Sequence, residues 1–111
     1  MPGLNGYPTK EELKLVKTYS GYIHSKNSFT MDVPRLLEIL QEIWWLPDWG
    51  IEQGDHKLEL HTGGWSGNEE IINVLQESMF WVMYWQKSER GGHYYFELEA
   101  TEEEKKAKGA V

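Results

Sequence analysis

The residues in this chain whose types and spacing could do chemistry gather around one segment, Leu60-His61-Thr62-Gly63-Gly64-Trp65-Ser66-Gly67-Asn68-Glu69-Glu70. A glycine-rich passage from a strand into a helix leaves backbone N–H groups free at the positive end of a helix dipole, which suits phosphate or carboxylate. Gly63 and Gly64 would allow the positive φ that such a turn needs, and Trp65 could offer a ring for stacking. A purely structural explanation covers part of the same stretch. Ser66 and Glu69 have capping-box spacing, so Ser66 would cap a helix beginning near Gly67. Glu69 and Glu70 would also oppose a strongly charged anion there. Trp65 and the second glycine are left without a structural reason.

Other constellations compete for the chemistry. Gly64-Trp65-Ser66-Gly67-Asn68 is one residue away from the nucleophile elbow G-x-S-x-G, with Asn68 in place of the last glycine. A Ser66 nucleophile with His93 as base is a third-ranked reading, since 111 residues are too few for the parallel sheet of such a hydrolase. His24, His56, His61 and His93 show no i, i+4 pairing and there is no cysteine, so no metal ligands are expected. Arg90, one of two arginines, stands in the turn Ser88-Glu89-Arg90-Gly91-Gly92 and could grip a phosphate or carboxylate bidentately. If the strand before the glycine turn lies beside the C-terminal hairpin, His61 and His93 approach each other there. The candidate ligand-binding set is therefore His61, Gly63, Gly64, Trp65, Ser66, Gly67, Asn68, Arg90 and His93, with no catalytic residue and no cofactor expected.

These residues need elements to position them. Residues 1–8, rich in Pro and Gly, read as a lead-in loop. Thr9 and Glu12 form a second capping box, opening a helix over about 10–24 with Leu13, Val16, Tyr19 and Ile23 at helical spacing. After a linker at Lys26-Asn27-Ser28-Phe29, Thr30 or Asp32 can cap a second helix. Its apolar face is Leu36, Leu37, Leu40, Ile43 and Trp44, and Pro47 stops it. Residues 47–57 are turn-rich. Lys57-Leu58-Glu59-Leu60-His61-Thr62 alternates as a half-buried strand with Leu58 and Leu60 inward. A short helix follows over Asn68–Ser78, burying Ile71, Ile72 and Leu75. Met79–Lys87 reads as a central strand, apolar on both faces, and the turn after it returns as His93–Glu99. Residues 100–111 form a charged tail, frayed or disordered. The expectation is a single α+β domain over 9–99. It has a small antiparallel sheet of at least three strands including a C-terminal hairpin, two N-terminal helices and one short inserted helix.

Eighteen acidic residues against eleven basic ones give a net charge of −7, which disfavours direct nucleic-acid binding. No apolar run approaches the roughly 20 residues of a membrane span, and the first residues lack a basic start and apolar segment, so a cytoplasmic protein with no membrane partner is expected. Six Trp, six Tyr and three Phe must carry much of the core, and so many aromatics are compatible with a homo-oligomer.

The pattern His61-Thr62-Gly63-Gly64-Trp65-Ser66-Gly67-Asn68-Glu69-Glu70, followed by Met79–Trp85 and Arg90-Gly91-Gly92-His93-Tyr94-Tyr95, resembles one carried by small bacteriophage and prophage proteins of no assigned activity. The resemblance spans about Leu58 to Leu98 and implies a phage or host-cytoplasm setting. The leading expectation is a non-enzymatic phage accessory protein that holds a small anionic, nucleotide-like ligand at the glycine turn and so counters a host defence. The alternative is an acidic inhibitor that imitates DNA towards a basic host protein.

Overall fold

The computed structural model describes residues 7–24 and 31–98. The expected tail at 100–111 and the linker at 26–29 lie outside the described residues. The described residues form an α+β fold with an antiparallel four-stranded sheet and five helices.

Helix α1, Lys10–Ser20, begins with the anticipated capping box: Thr9 accepts from the Glu12 N–H, and Glu12 accepts from the Thr9 N–H. It ends earlier than expected. Gly21 takes a left-handed conformation at φ 72° and closes the helix, as a glycine just past the last turn commonly does. Helix α2, Val33–Ile43, is capped by Asp32, whose carboxylate accepts from the Arg35 N–H, with Pro34 in its first turn. Leu36, Leu37, Ile39, Leu40 and Ile43 are buried along one face, and Trp44 is buried just beyond it.

The turn-rich segment contains more structure than its sequence suggested. Pro47 does not merely stop α2, which has already ended; it opens a single turn, α3, Pro47–Gly50. Strand β1, Ile51–Gln53, follows at once. It pairs antiparallel with β2, Lys57–His61, setting Ile51 against Leu60 and Glu52 against Glu59. Leu58 and Leu60 are fully buried, as their alternation required.

After the glycine turn comes α4, Ser66–Leu75, burying Ile71, Ile72 and Leu75. Met79–Lys87 is where the expectation fails. Residues Met79–Tyr84 form a helix, α5, and the strand β3 is only Trp85–Glu89. Ser78 decides this: its Oγ accepts from the Trp81 N–H and donates to the Leu75 carbonyl, an N-cap arrangement. Burial follows a helical interval. Phe80 and Tyr84 are buried while Val82, between them, is 64% exposed. Nor is β3 central, since the sheet order is β1-β2-β4-β3 and every residue of β3 is exposed. The hairpin itself stands: β3 pairs with β4, His93–Glu97, through a bulge between Trp85 and Lys87. β4 also pairs with β2, and the interior positions thus belong to β2 and β4.

The helices and the inward residues Ile51, Leu58, Leu60 and Phe96 share one core. The opposite sheet face carries Glu52, Glu59, His61, His93, Tyr95 and Glu97, as the registers require. No helix among the described residues is long and apolar enough to cross a membrane.

Candidate functional site

The antiparallel register sets His61, the last residue of β2, directly opposite His93, the first of β4. Their Nδ1 atoms lie 2.7 Å apart, so one imidazole donates to the other. The two rings meet nearly edge to face, with centroids 4.9 Å apart. The sequence expectation that these two histidines converge beside the glycine turn is met. The strand ends are clamped together just beyond them, where the Thr62 N–H donates to the Gly92 carbonyl at 2.9 Å. Gly92 has φ 83°, and a Cβ there would run into the Thr62 side chain. The hairpin turn therefore needs glycine on two counts.

The glycine turn is built differently from the capping-box reading. Helix α4 starts at Ser66, one residue early, and its N-cap is Trp65, which makes no side-chain capping bond. Ser66 occupies the first helical position, where its hydroxyl cannot cap. Gly63 and Gly64 do have the positive φ anticipated for them, 62° and 74°. The Gly64 N–H donates to Thr62 Oγ1 at 3.3 Å. A Cβ on Gly63 would come within 2.9 Å of the Trp49 ring.

Asn68 has a structural task. It is 1% exposed. Its Oδ1 accepts from the Trp45 N–H at 2.8 Å, and its Nδ2 donates to the carbonyls of Trp45 and Thr62 at 3.2 and 3.3 Å. One amide thus pins the segment after α2 to the turn after β2. Trp65, whose presence the sequence left unexplained, stacks on Trp45 at 5.4 Å and 21° and packs against Tyr7.

This clip shapes a cavity of about 370 Å³ lined by Trp45, Leu46, Trp49, Thr62, Gly63, Trp65 and Asn68. Trp49 is the member that needs explaining, since it is 57% exposed although it is a tryptophan. Its position follows from Leu46, which has φ 58° and ψ 61°, a left-handed conformation that costs about 1–2 kcal/mol without glycine. The Leu46 carbonyl then accepts from the Trp49 and Gly50 N–H groups, and the short α3 turn holds the indole out over Gly63. The other side of Trp49 meets His61 edge-on, with centroids 6.3 Å apart. The aromatic cavity and the histidine pair are therefore neighbours.

Acidic groups flank the pair. His61 Nε2 is 3.4 Å from Glu59 Oε1 and 3.9 Å from Glu52 Oε2. Tyr95, next along the face, has its hydroxyl pushed up to about 12, chiefly by its hydrogen bond to Glu89 and then by desolvation. The same bond, with Lys87 nearby, lowers the Glu89 carboxyl.

The predicted set thus divides. Gly63 and Trp65 line the cavity, while His61, paired with His93, meets the Trp49 ring beside it. Asn68 lines it with its amide already engaged. Gly64, Ser66 and Gly67 form the turn and helix start, and Arg90 lies on the exposed hairpin turn. The sequence reading missed Trp45, Trp49, Glu52 and Glu59. Trp49 carried a usable signal, because an indole between turn formers in Pro47-Asp48-Trp49-Gly50 has no periodic apolar face to join. Compared with known proteins, the chain matches no family model, no curated protein and no solved structure.

Proposed function

We propose that this is a small-molecule binding protein that holds a planar, nucleobase-like ligand between Trp49 and the Trp45–Trp65 stack. The exposed Trp49 indole over a cavity of about 370 Å³ is the observation that carries the reading. That volume lies within the roughly 300–1,000 Å³ of ordinary ligand pockets. An indole that is left exposed beside two stacked ones loses apolar burial that a flat ligand would restore. His61 lies beside the cavity through its ring contact with Trp49, while its own nitrogens face His93 and the Glu52 and Glu59 carboxylates.

The stacking part of the sequence expectation is better supported than the anionic part. Glu52 and Glu59 face His61, and Arg90 stands on the hairpin turn. An anionic group would have to turn away from the carboxylates, towards the N–H groups at the start of α4. The phage-like pattern adds the setting: a protein that sequesters a ligand in the host cell and so blunts a defence that depends on it.

The test is tryptophan fluorescence and thermal shift of the full chain against nucleobases, nucleosides and nucleotides. At least one should quench the emission and raise the Tm. Trp49→Ala should abolish both effects without lowering the Tm of the free protein by more than a few degrees, because Trp49 is largely exposed. A flat response across the panel would count against the proposal, and so would quenching that survives Trp49→Ala.

A further inference from the structure

Beside the aromatic cavity, the outer face of the sheet brings Glu52 of β1 together with Glu59 and His61 of β2. Glu52 and Glu59 are direct cross-strand partners, and like charges directly opposite each other destabilise a sheet unless something lies between them. His61 follows Glu59 by two residues and so shares its face. One ligand atom from each of the three residues can be chosen so that all lie within 4.8 Å of one another. Two donors on a tetrahedral zinc, each about 2.0–2.2 Å from the ion, are about 3.3–3.6 Å apart. The 3.4 Å between His61 Nε2 and Glu59 Oε1 has that separation already. Glu52 Oε2 lies 3.9 Å from the same nitrogen, on a side chain that is 66% exposed and has room to rotate inward.

A second observation comes from the far side of the His61 ring. Its Nδ1 lies 2.7 Å from Nδ1 of His93, and a single proton must lie between them. With that proton on neutral His61, the Nε2 is a lone pair aimed at two carboxylates. Metal-bound histidines almost always donate their other ring N–H to an acceptor that fixes the ring and its tautomer. His93 is such an acceptor. Three electron-pair donors then converge with no proton among them, and a cation relieves the conflict. With the proton on His93 instead, His61 Nε2–H donates to Glu59 and no ion is needed. The experiment separates these two states.

We propose that Glu52, Glu59 and His61 bind one divalent first-row transition metal, with His93 as the residue that positions His61. An imidazole with two carboxylates suits zinc, cobalt, manganese or iron(II) better than calcium or magnesium. Three protein ligands leave a position for water or a bound molecule, and Trp49 brings the aromatic cavity alongside. The expectation of no metal rested on helical i, i+4 spacing, whereas these ligands come from two paired strands. The proposal does not depend on the ligand reading above, since Trp49→Ala should leave metal binding intact.

The test is calorimetric titration of the metal-stripped full chain with zinc in a non-coordinating buffer near neutral pH, with cobalt absorption as a report of geometry. The expected result is one saturable equivalent, and a cobalt spectrum of four- or five-coordinate intensity. Glu59→Gln and Glu52→Gln should each weaken binding at least about ten-fold, and His93→Phe should weaken it about 10–100-fold as the loss of an orienting partner does. His24→Gln, which alters the exposed histidine paired with Glu77, should change nothing. Glu52→Gln alters an exposed side chain, so it keeps the test meaningful if another variant misfolds. Unsaturable binding, binding unaffected by both glutamine variants, or binding lost with His24→Gln would each overturn the proposal.

Discussion

Replacing Asn68 by alanine should be among the most damaging single changes near the cavity, although Asn68 lies on a helix that the substitution itself would favour. The amide makes three hydrogen bonds across two chain segments. The Thr62 carbonyl has a second donor, the Trp65 N–H at 3.0 Å, so its loss is small. The Trp45 N–H and carbonyl are the groups that lose a partner. Leaving a buried polar group unpaired costs about 1–3 kcal/mol, and water reaches the half-buried Trp45 in part, so about 3 kcal/mol in total is expected. At about 4–8 °C per kcal/mol for a domain near this size, the Tm should fall by about 12–24 °C. The measurement is thermal melting by circular dichroism, with tryptophan emission recorded alongside. The emission should shift as the Trp45–Trp65 stack loosens. Asn68→Asp keeps the acceptor for the Trp45 N–H but turns a carboxylate towards two carbonyls, so at neutral pH it should destabilise at least as much as alanine. If Asn68→Ala melts within about 3 °C of the wild type, on the same scale, with unchanged emission, the clip is not what holds the two segments together.

Phe80→Ala should cost about 3–5 kcal/mol as a large buried ring is removed, whereas Val82→Ser should lie within about 0.5 kcal/mol of the wild type. Chemical denaturation of both variants distinguishes α5 from the strand reading, in which Phe80 and Val82 share a face. Tyr95 holds its proton to about pH 12 in the folded chain, above the ordinary value of 10.0. Its contribution to stability is therefore fully present below pH 10 and is lost as the pH rises towards 12, because the unfolded chain ionises first. Tyr95→Phe should flatten that part of the stability curve, and alkaline difference absorbance should show one tyrosine fewer among the late-ionising group.

Much of this fold was determined by short-range chemistry. Thr9 with Glu12, and Asp32 with Pro34, mark helix starts that form as their spacing required. The alternation of Leu58 and Leu60 orients β2, and the glycines after Arg90 close the hairpin. The meeting of His61 with His93 needed only the further step that β2 lies beside that hairpin, which the register bears out.

What the sequence could not decide depended on which alternative the rest of the chain stabilised. Met79–Tyr84 is apolar at every position and so satisfies both a strand and a helix. The choice fell to the Ser78 cap and to a core that accepts Phe80 and Tyr84 but not Val82. Ser66 and Glu69 had capping spacing, yet Asn68 reaching the Trp45 backbone and the Thr62 carbonyl started the helix one residue sooner. Trp65 and the doubled glycine were the open questions in the segment. Trp65 is answered by its stack on Trp45, 20 residues earlier, Gly63 by the ring of Trp49, and Gly64 by its positive φ of 74°. The sequence determined α1, α2, β2, the C-terminal hairpin and one histidine pair, because caps, alternation and turns act over a few residues. The cavity and the Glu52–Glu59–His61 cluster came only from tertiary structure, because they depend on a left-handed Leu46 and a three-residue edge strand with no periodic signal of their own.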